Sequence, residues 1–297
     1  MPSGDTEWGE FGTLTRGLNL VLLALFTLIG IPFYWYFLDT RTYAEAPKPL
    51  GIEQLRTLAE ALPGGAPVEI RYERVGRREV ISNVLAAGSG LRPAPYEIRA
   101  FQLVLPDGGV ISIDRGISRT IAARADVEDF DPVAQAAVEQ GIGAARLVLT
   151  LDPRPLHSGL HHAEPDFGSG MPDQARLADG EPYAVAPGIV VIPAEGVKPG
   201  TRMVYVRMEG GAEFLFAGDI APLALSWSQQ RPPARLTTEY VHGRNRDEIA
   251  AWLRTVAALK QEAPVLNVVA GHDGHLPPTL RKGFLRQPSD SPGIPIP

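Results

Sequence analysis

The 297-residue chain contains no cysteine. That absence excludes a thiolate nucleophile, a disulfide framework and a cysteine-bound metal. Any metal would need His, Asp, Glu or other nitrogen and oxygen donors. The compartment stays open, since a cysteine-free chain is stable in either redox setting. Long basic runs are also missing, and the net charge is −6. This argues against a nucleic-acid partner, because phosphate backbones are held by clustered Lys and Arg. "AAGSGL" (Ala86–Leu91) has neither the Gly-x-Ser-x-Gly elbow of a serine hydrolase nor the Gly-Lys-Ser/Thr of a phosphate loop. Hydrophobic residues make up 44% and charged residues 21%, the balance of a globular protein long enough to bury a sizeable core.

Charge is absent from one further stretch. Between Arg16 and Asp39 runs "GLNLVLLALFTLIGIPFYWYFL" (Gly17–Leu38), and about 20 apolar residues suffice to span a bilayer as a helix. Phe33, Tyr34, Trp35, Tyr36 and Phe37 gather at its end, where an aromatic belt would meet the headgroups. Pro32 is tolerable in such a helix. A cleaved signal peptide is the rival reading, with "AEA" (Ala44–Ala46) as its cleavage site. The apolar run exceeds a signal core, and the residues before it are acidic rather than basic. The expectation is therefore an N-terminal tail (1–16), a single transmembrane helix (17–38), a linker with a short helix (39–66), one large domain (67–285) and a disordered tail (286–297). Flanking positive charges give almost no orientation bias. A single anchor ahead of one large domain suggests that the domain lies outside the cytoplasm.

Beyond the linker the pattern repeats. "YEIRAFQLVL" (Tyr96–Leu105), "PDGG" and "VISID" (Val110–Asp114) read as a hairpin. A helix over Asp131–Ala145, with Asp131 as N-cap and Pro132 at its first position, leads to the strand Leu147–Leu151. The second half offers a strand at Gly188–Ala194, a hairpin of Arg202–Met208 and Glu213–Asp219, an amphipathic helix over Asn245–Gln261 and the strand Val265–Asp273. Two such halves suggest packed sheets with helices outside, an α/β sandwich.

Histidine is scarce, six in all, yet three fall in "LDPRPLHSGLHH": His157, His161 and His162. Three strands end on polar groups: Asp152 and His157 after the first, Asp219 after the second, His272 and Asp273 after the third. Rigid strands delivering polar groups to a common rim make a site. Here the chain resembles the metallo-β-lactamase superfamily. "VISIDRG" resembles its early strand ending in Asp, at Asp114. "LVLTLDPRPLHSGL" resembles the strand before its His-x-His-x-Asp-His-x-Gly motif. "VVIPAEGVKPGT" (Val190–Thr201) resembles the strand before Gly-His-Thr-Pro-Gly-Ser. "FLFAGDI" and "VVAGHD" resemble the strands carrying the bridging Asp and the last His. The resemblance covers roughly residues 80–275 and implies an αββα sandwich with a metal site on the sheet edges.

The departures from the motif bear on chemistry. With His157-Ser158-Gly159 set on the final His-x-Gly, the three His positions of the family's first metal read Asp152, Arg154 and Val197, and Leu156 replaces the motif Asp. A guanidinium cannot ligate a cation, and valine has no donor. His157, Asp219 and His272 keep part of the second site, enough for one Zn²⁺ or Fe²⁺, with His161, His162 or His275 as further rim candidates. Alternatively these groups only hydrogen-bond, and Arg154, paired with Asp152 or Asp219, supplies the charge a metal would. The resemblance thus implies a membrane-tethered protein with a degraded two-metal site, non-catalytic or weakly active, holding no metal or one ion and open to a small-molecule ligand. The alternative is a one-metal hydrolase of an ester, thioester, lactone or phosphoester. His242, in "YVHGRN", reads as loop surface.

Overall fold

The computed structural model describes residues 7–43, 46–159 and 180–285, with side chains from Thr15 onward. His161, His162 and the tail after Leu285 lie outside the described residues.

Helix α1 (Glu7–Leu25) runs on through a π turn (Phe26–Gly30), a short α turn (Ile31–Phe33) and a second π turn (Tyr34–Leu38). The wide turns flank Pro32, whose missing N–H and ring bulk break the regular ladder. Thr15–Leu38 spans 24 residues at a mean hydropathy of 2.0, with none of it buried. At about 1.5 Å per residue that length is enough to cross a bilayer. The chain then turns extended at Asp39, which is buried. Arg246, fully buried, donates to the carbonyls of Pro233 (2.9 Å), Arg41 (2.8 Å) and Asp39, so the end of the helix is held against the domain. The Arg235 guanidinium lies 4.3 Å over the Trp35 ring, and Tyr240 meets Tyr36 edge-on at 5.5 Å.

Ten strands follow: β1 (Glu69–Ile81), β2 (Pro93–Val104), β3 (Val110–Ile113), β4 (Leu147–Leu149), β5 (Tyr183–Ala186), β6 (Ile189–Pro193), β7 (Arg202–Arg207), β8 (Glu213–Gly218), β9 (Asn267–Ala270) and β10 (Arg281–Lys282). They form two five-stranded sheets, ordered β10-β1-β2-β3-β4 and β5-β6-β7-β8-β9. Side chains of a strand alternate between its faces. Ile189 and Val191 therefore enter the core between the sheets, beside Phe101, Ile113 and Phe216. Val190 and Ile192 face outward onto α2 (Ile52–Ala59) and α4 (Arg246–Glu262), through Leu55, Ile249, Leu253 and Val256. The outer face of the first sheet is covered by Val138 of α3 (Pro132–Ala144) and by Ile117 and Ile121. Layers run helix, sheet, sheet, helix. Leu50, Ile52 and Leu55, within the stretch expected as a linker, are buried in this packing.

The cap expected at Asp131 is present, and α4 has one at Asn245. Asp131 accepts from Val133 N and Ala134 N at 2.9 and 3.0 Å, and Asn245 from Asp247 N and Glu248 N at 3.1 and 3.3 Å. Each half ends in a parallel strand pair, β3 with β4 and β8 with β9. Both pairs leave their C-terminal ends on one edge of the sandwich, and the polar residues emerge there.

Candidate functional site at the strand ends

Asp114 follows β3 with φ at +62°, a conformation that Asp tolerates better than most residues. The turn sends its Oδ1 to accept from Leu151 N (2.8 Å) and its Oδ2 to His157 Nδ1 (2.7 Å). β8 ends on Gly218 (φ +50°), where Asp219 turns into the rim. Gly271 precedes His272, and a Cβ on Gly271 would lie 2.5 Å from the Gly218 carbonyl oxygen. Only glycine lets the two chain ends pass so closely, and that passage brings His272 Nε2 to 2.9 Å from Asp219 Oδ1. His157 Nε2 lies 3.4 Å from Asp219 Oδ2.

Arg154 and Asp152 complete the cluster. Asp152 is fully buried and accepts from Arg154 N (3.0 Å), Arg154 Nε (2.9 Å) and Thr201 Oγ1 (3.0 Å). The Arg154 Nη2 contacts Asp219 Oδ2, so one guanidinium bridges two carboxylates. Burial alone would raise the Asp152 carboxyl. The guanidiniums of Arg154 and Arg244 outweigh it and hold the group well below the usual carboxylate range.

The hydrogen bonds place a proton on His272. His272 Nδ1 lies 2.8 Å from the Glu97 carbonyl, an acceptor only, so Nδ1 carries hydrogen. Burial first, and then the charge of His157, push the His272 imidazole far down, toward the neutral form. A neutral ring, however, turns its Nε2 lone pair on a carboxylate oxygen at 2.9 Å. His157 Nδ1 faces Asp114 Oδ2, and its buried Nε2 has no hydrogen-bond partner among the described residues. Burial and hydrogen bonding thus pull His272 in opposite directions: its contact with Asp219 Oδ1 needs a proton or a metal cation between the two atoms, while Arg154 meets the other carboxylate oxygen, Oδ2.

The same geometry tests the fit of a metal. Ligand atoms of His157, Asp219 and His272 lie within 4.8 Å of one another, and this His/Asp/His group could hold one ion, with Asp114 and the Glu97 carbonyl orienting the rings. Among the described residues no ligand set for a second ion is present, since the corresponding positions are Asp152 tied to Arg154, Arg154 itself, and Val197 buried in the outer core. Leu156 faces the adjoining cavity. His275 is fully exposed, beside Asp273 at 3.3 Å, and the structure does not bring it to the rim. Asp273 accepts from Ala224 N (2.8 Å), a role in holding the loop.

Sequence reasoning missed two residues. Arg244 is buried, with a guanidinium Nη2 3.7 Å from Asp152 Oδ2, and burial pushes its pKa down to about 10. His242 is exposed, as expected of a loop residue, and it also lines the mouth of a cavity, where partial burial followed by the charges of Arg154 and Arg244 push its pKa down to about 4. No local sequence signal marked either role.

That cavity, about 480 Å³, opens beside Asp219. Among the described residues five cationic side chains line it, Arg78, Arg124, Arg154, Lys198 and Arg244, against the single carboxylate of Asp219. Val80, Leu85, Ile121, Leu156 and Val241 supply apolar wall.

No protein-family profile matches the chain, and no curated protein does. Solved structures do match. A quorum-quenching N-acyl homoserine lactone lactonase aligns with a TM-score of 0.54 at 12% identity, over 71% of this chain and 94% of its own. A B. thuringiensis AiiA mutant with N-decanoyl-L-homoserine bound at its active site gives 0.52 at 12%, over 70% and 94%. A probable metal-dependent hydrolase from Staphylococcus aureus gives 0.50 at 11%, over 71% and 91%. At such identities the likeness is one of fold. The chain has the metallo-β-lactamase fold, an αββα sandwich in divergent form, as its strand-end motifs implied, preceded by one apolar helix that is a candidate transmembrane span.

Proposed function

We propose that this is a membrane-tethered metallo-β-lactamase-fold protein that has exchanged the two-metal centre for an arginine and now binds a small molecule rather than hydrolysing one. The observation that carries the reading is Arg154, whose guanidinium joins Asp152 and Asp219. Two-metal hydrolysis needs an activated water beside a second Lewis acid, and the ligand set retains donors for at most one ion. The span Thr15–Leu38 supports the tether, with the domain on the extracytoplasmic side. Elemental analysis of the full chain purified without chelator tests the reading, together with assays on lactone, thioester and phosphoester substrates. Substoichiometric metal and no turnover are expected. Two bound ions with chelator-sensitive turnover would overturn it.

A second reading rests on the two imidazole Nε2 atoms set beside the Asp219 carboxylate. If Arg154 swings away, His157, Asp219 and His272 would hold one Zn²⁺ or Fe²⁺. Such an ion would supply Lewis acidity for hydrolysis of an ester, thioester, lactone or phosphoester. About one equivalent of metal, lost in His272→Ala, distinguishes this reading from the first.

A further inference from the structure

We infer that the cavity beside Asp219 is a binding site for a phosphate-bearing amphiphile, its headgroup held by the arginines and its chain leaving toward the membrane-facing wall. This deepens the binding reading above and rests on it for the absence of a two-metal centre, but the charge argument is separate.

The charge balance in the cavity is unequal. Asp219, the only carboxylate among the described residues that line it, is already engaged by Arg154. Arg244 has a side chain 4% exposed, and its Nε and Nη2 have no hydrogen-bond partner. Its Nη1 reaches the Asp219 carbonyl at a long 3.4 Å and its Nη2 lies 3.7 Å from Asp152 Oδ2, so most of its donors stay unsatisfied, a costly state that a ligand's acceptors would relieve. Arg78 donates to the Ala125 carbonyl (2.8 Å) and lies over Tyr96 at 4.7 Å, and neither contact neutralises it. Lys198 donates only to the His242 carbonyl (3.1 Å). Several guanidiniums converging on one space suit a tetrahedral dianion with many acceptor oxygens better than a single carboxylate.

The apolar share of the wall decides against a bare anion. Val80, Leu85, Ile121 and Val241 line the same space as the arginines, and a free phosphate would gain nothing from them. Their position indicates the source of the ligand. The π turn Leu236–Val241 supplies Thr237, Thr238 and Val241 to the cavity, while its Tyr240 packs on Tyr36 at the end of the apolar helix. Tyr240 and Val241 are themselves exposed, 63% and 64%. The neighbouring turn Ser82–Leu85 does likewise: Val84 and Leu85 line the cavity, and Asn83 donates to the Phe37 carbonyl (2.5 Å). Two cavity walls therefore abut the stretch of Trp35, Tyr36 and Phe37 that would lie at headgroup level. An amphiphile resident in the bilayer could enter there without crossing water.

The test uses the full chain in nanodiscs of zwitterionic lipid. Lysophosphatidic acid, lysophosphatidylcholine, a fatty acid and inorganic phosphate are titrated in turn, with native mass spectrometry for stoichiometry and metal content read on the same sample. Saturable 1:1 binding of lysophosphatidic acid is expected. It should weaken at least about tenfold in Arg244→Gln, as loss of charge-assisted hydrogen bonds predicts. Arg244 is buried, so Arg124→Gln/Lys198→Gln, one residue exposed and the other half-buried, serves as a second variant and should weaken binding while the thermal midpoint holds. Inorganic phosphate should bind far more weakly, and lysophosphatidylcholine should not compete. No saturable binding, equal binding of inorganic phosphate, preference for the fatty acid, or affinity unchanged in both variants would overturn the inference. Bound metal with intact amphiphile binding would sink only the metal-free reading.

Discussion

His157 Nδ1 sits 2.7 Å from Asp114 Oδ2, and this one bond decides which face of the imidazole meets Asp219. Asp114 can act so because its left-handed backbone turns the carboxylate back across the strand ends, where Oδ1 also receives Leu151 N. In Asp114→Asn the amide can still accept from Leu151 or from His157, but no longer holds both with charge. A loss of about 1–3 kcal/mol is expected for a weakened buried bond. Denaturant titration measures it, and an NMR spectrum of the His157 ring should show mixed tautomers. An unchanged midpoint with one sharp tautomer would show that Asp114 does not orient the ring.

Arg154 is the next lever. Removing it in Arg154→Ala leaves Asp152 and Asp219 buried without their shared cation, an expected cost of about 3 kcal/mol. The same change opens the His157, Asp219 and His272 donors. Added Zn²⁺ should then raise the thermal midpoint of the variant, and chelator should reverse the rise, while the parent chain responds to neither. A parent chain whose midpoint falls on chelation would mean that the ion, not the arginine, occupies the centre.

Acid sensitivity has a separate source on the far side of the second sheet. Arg56 of α2 donates to Glu213 through Nε (2.7 Å) and Nη2 (2.8 Å), and the Tyr205 hydroxyl donates at 2.5 Å. The Arg56 hydrogen bonds hold the Glu213 carboxyl below its usual value of 4.5 despite burial. The folded state thus binds this proton less readily than the unfolded chain. The stabilisation is complete above the unfolded value and fades as pH falls through the folded one. Glu213→Gln should cost about 1–3 kcal/mol at pH 7 and should flatten the acid limb of stability below about pH 4.5. Urea melts at several pH values check both. A parallel acid limb in the variant would assign the acid loss elsewhere.

The two hairpins, the caps at Asp131 and Asn245 and the three polar strand ends could be read from the sequence because each rests on local chemistry: alternation, turn residues and an N-cap oxygen. The pairing of Arg154 with Asp152 and Asp219 was foreseeable from charge once the strand ends were set side by side. Arg244 and His242 were not legible, because they acquire meaning only when the turn Leu236–Val241 folds across the rim. His275 shows the reverse limit, since nothing in "GHDGH" says that the chain turns outward after His272 and leaves the ring fully exposed. The short helix expected after the linker is present as α2, but nothing local says that its Ile52 and Leu55 share one core with Leu50 and α4.

Gly271 offers a prediction independent of any ligand. Its neighbour across the strand ends is the backbone of Gly218, with the carbonyl oxygen 2.5 Å and the Cα 3.2 Å from where a Cβ would stand. Backbone cannot step aside as the tip of a side chain can, so even alanine must separate β8 from β9. That movement would carry His272 Nε2 away from Asp219 Oδ1 and strain the bond of Gly271 N to the Ala221 carbonyl (3.0 Å). Overpacking a close contact of this kind costs about 1–3 kcal/mol, and Gly271→Ala should therefore melt well below the parent. Gly210→Ala, at a position with open space around it, is the matched control and should melt within about 0.5 kcal/mol of the parent. Equal melting of the two variants would mean that the strand ends are loosely joined, and the rim would then lack the rigidity on which the placement of Asp219 and His272 depends.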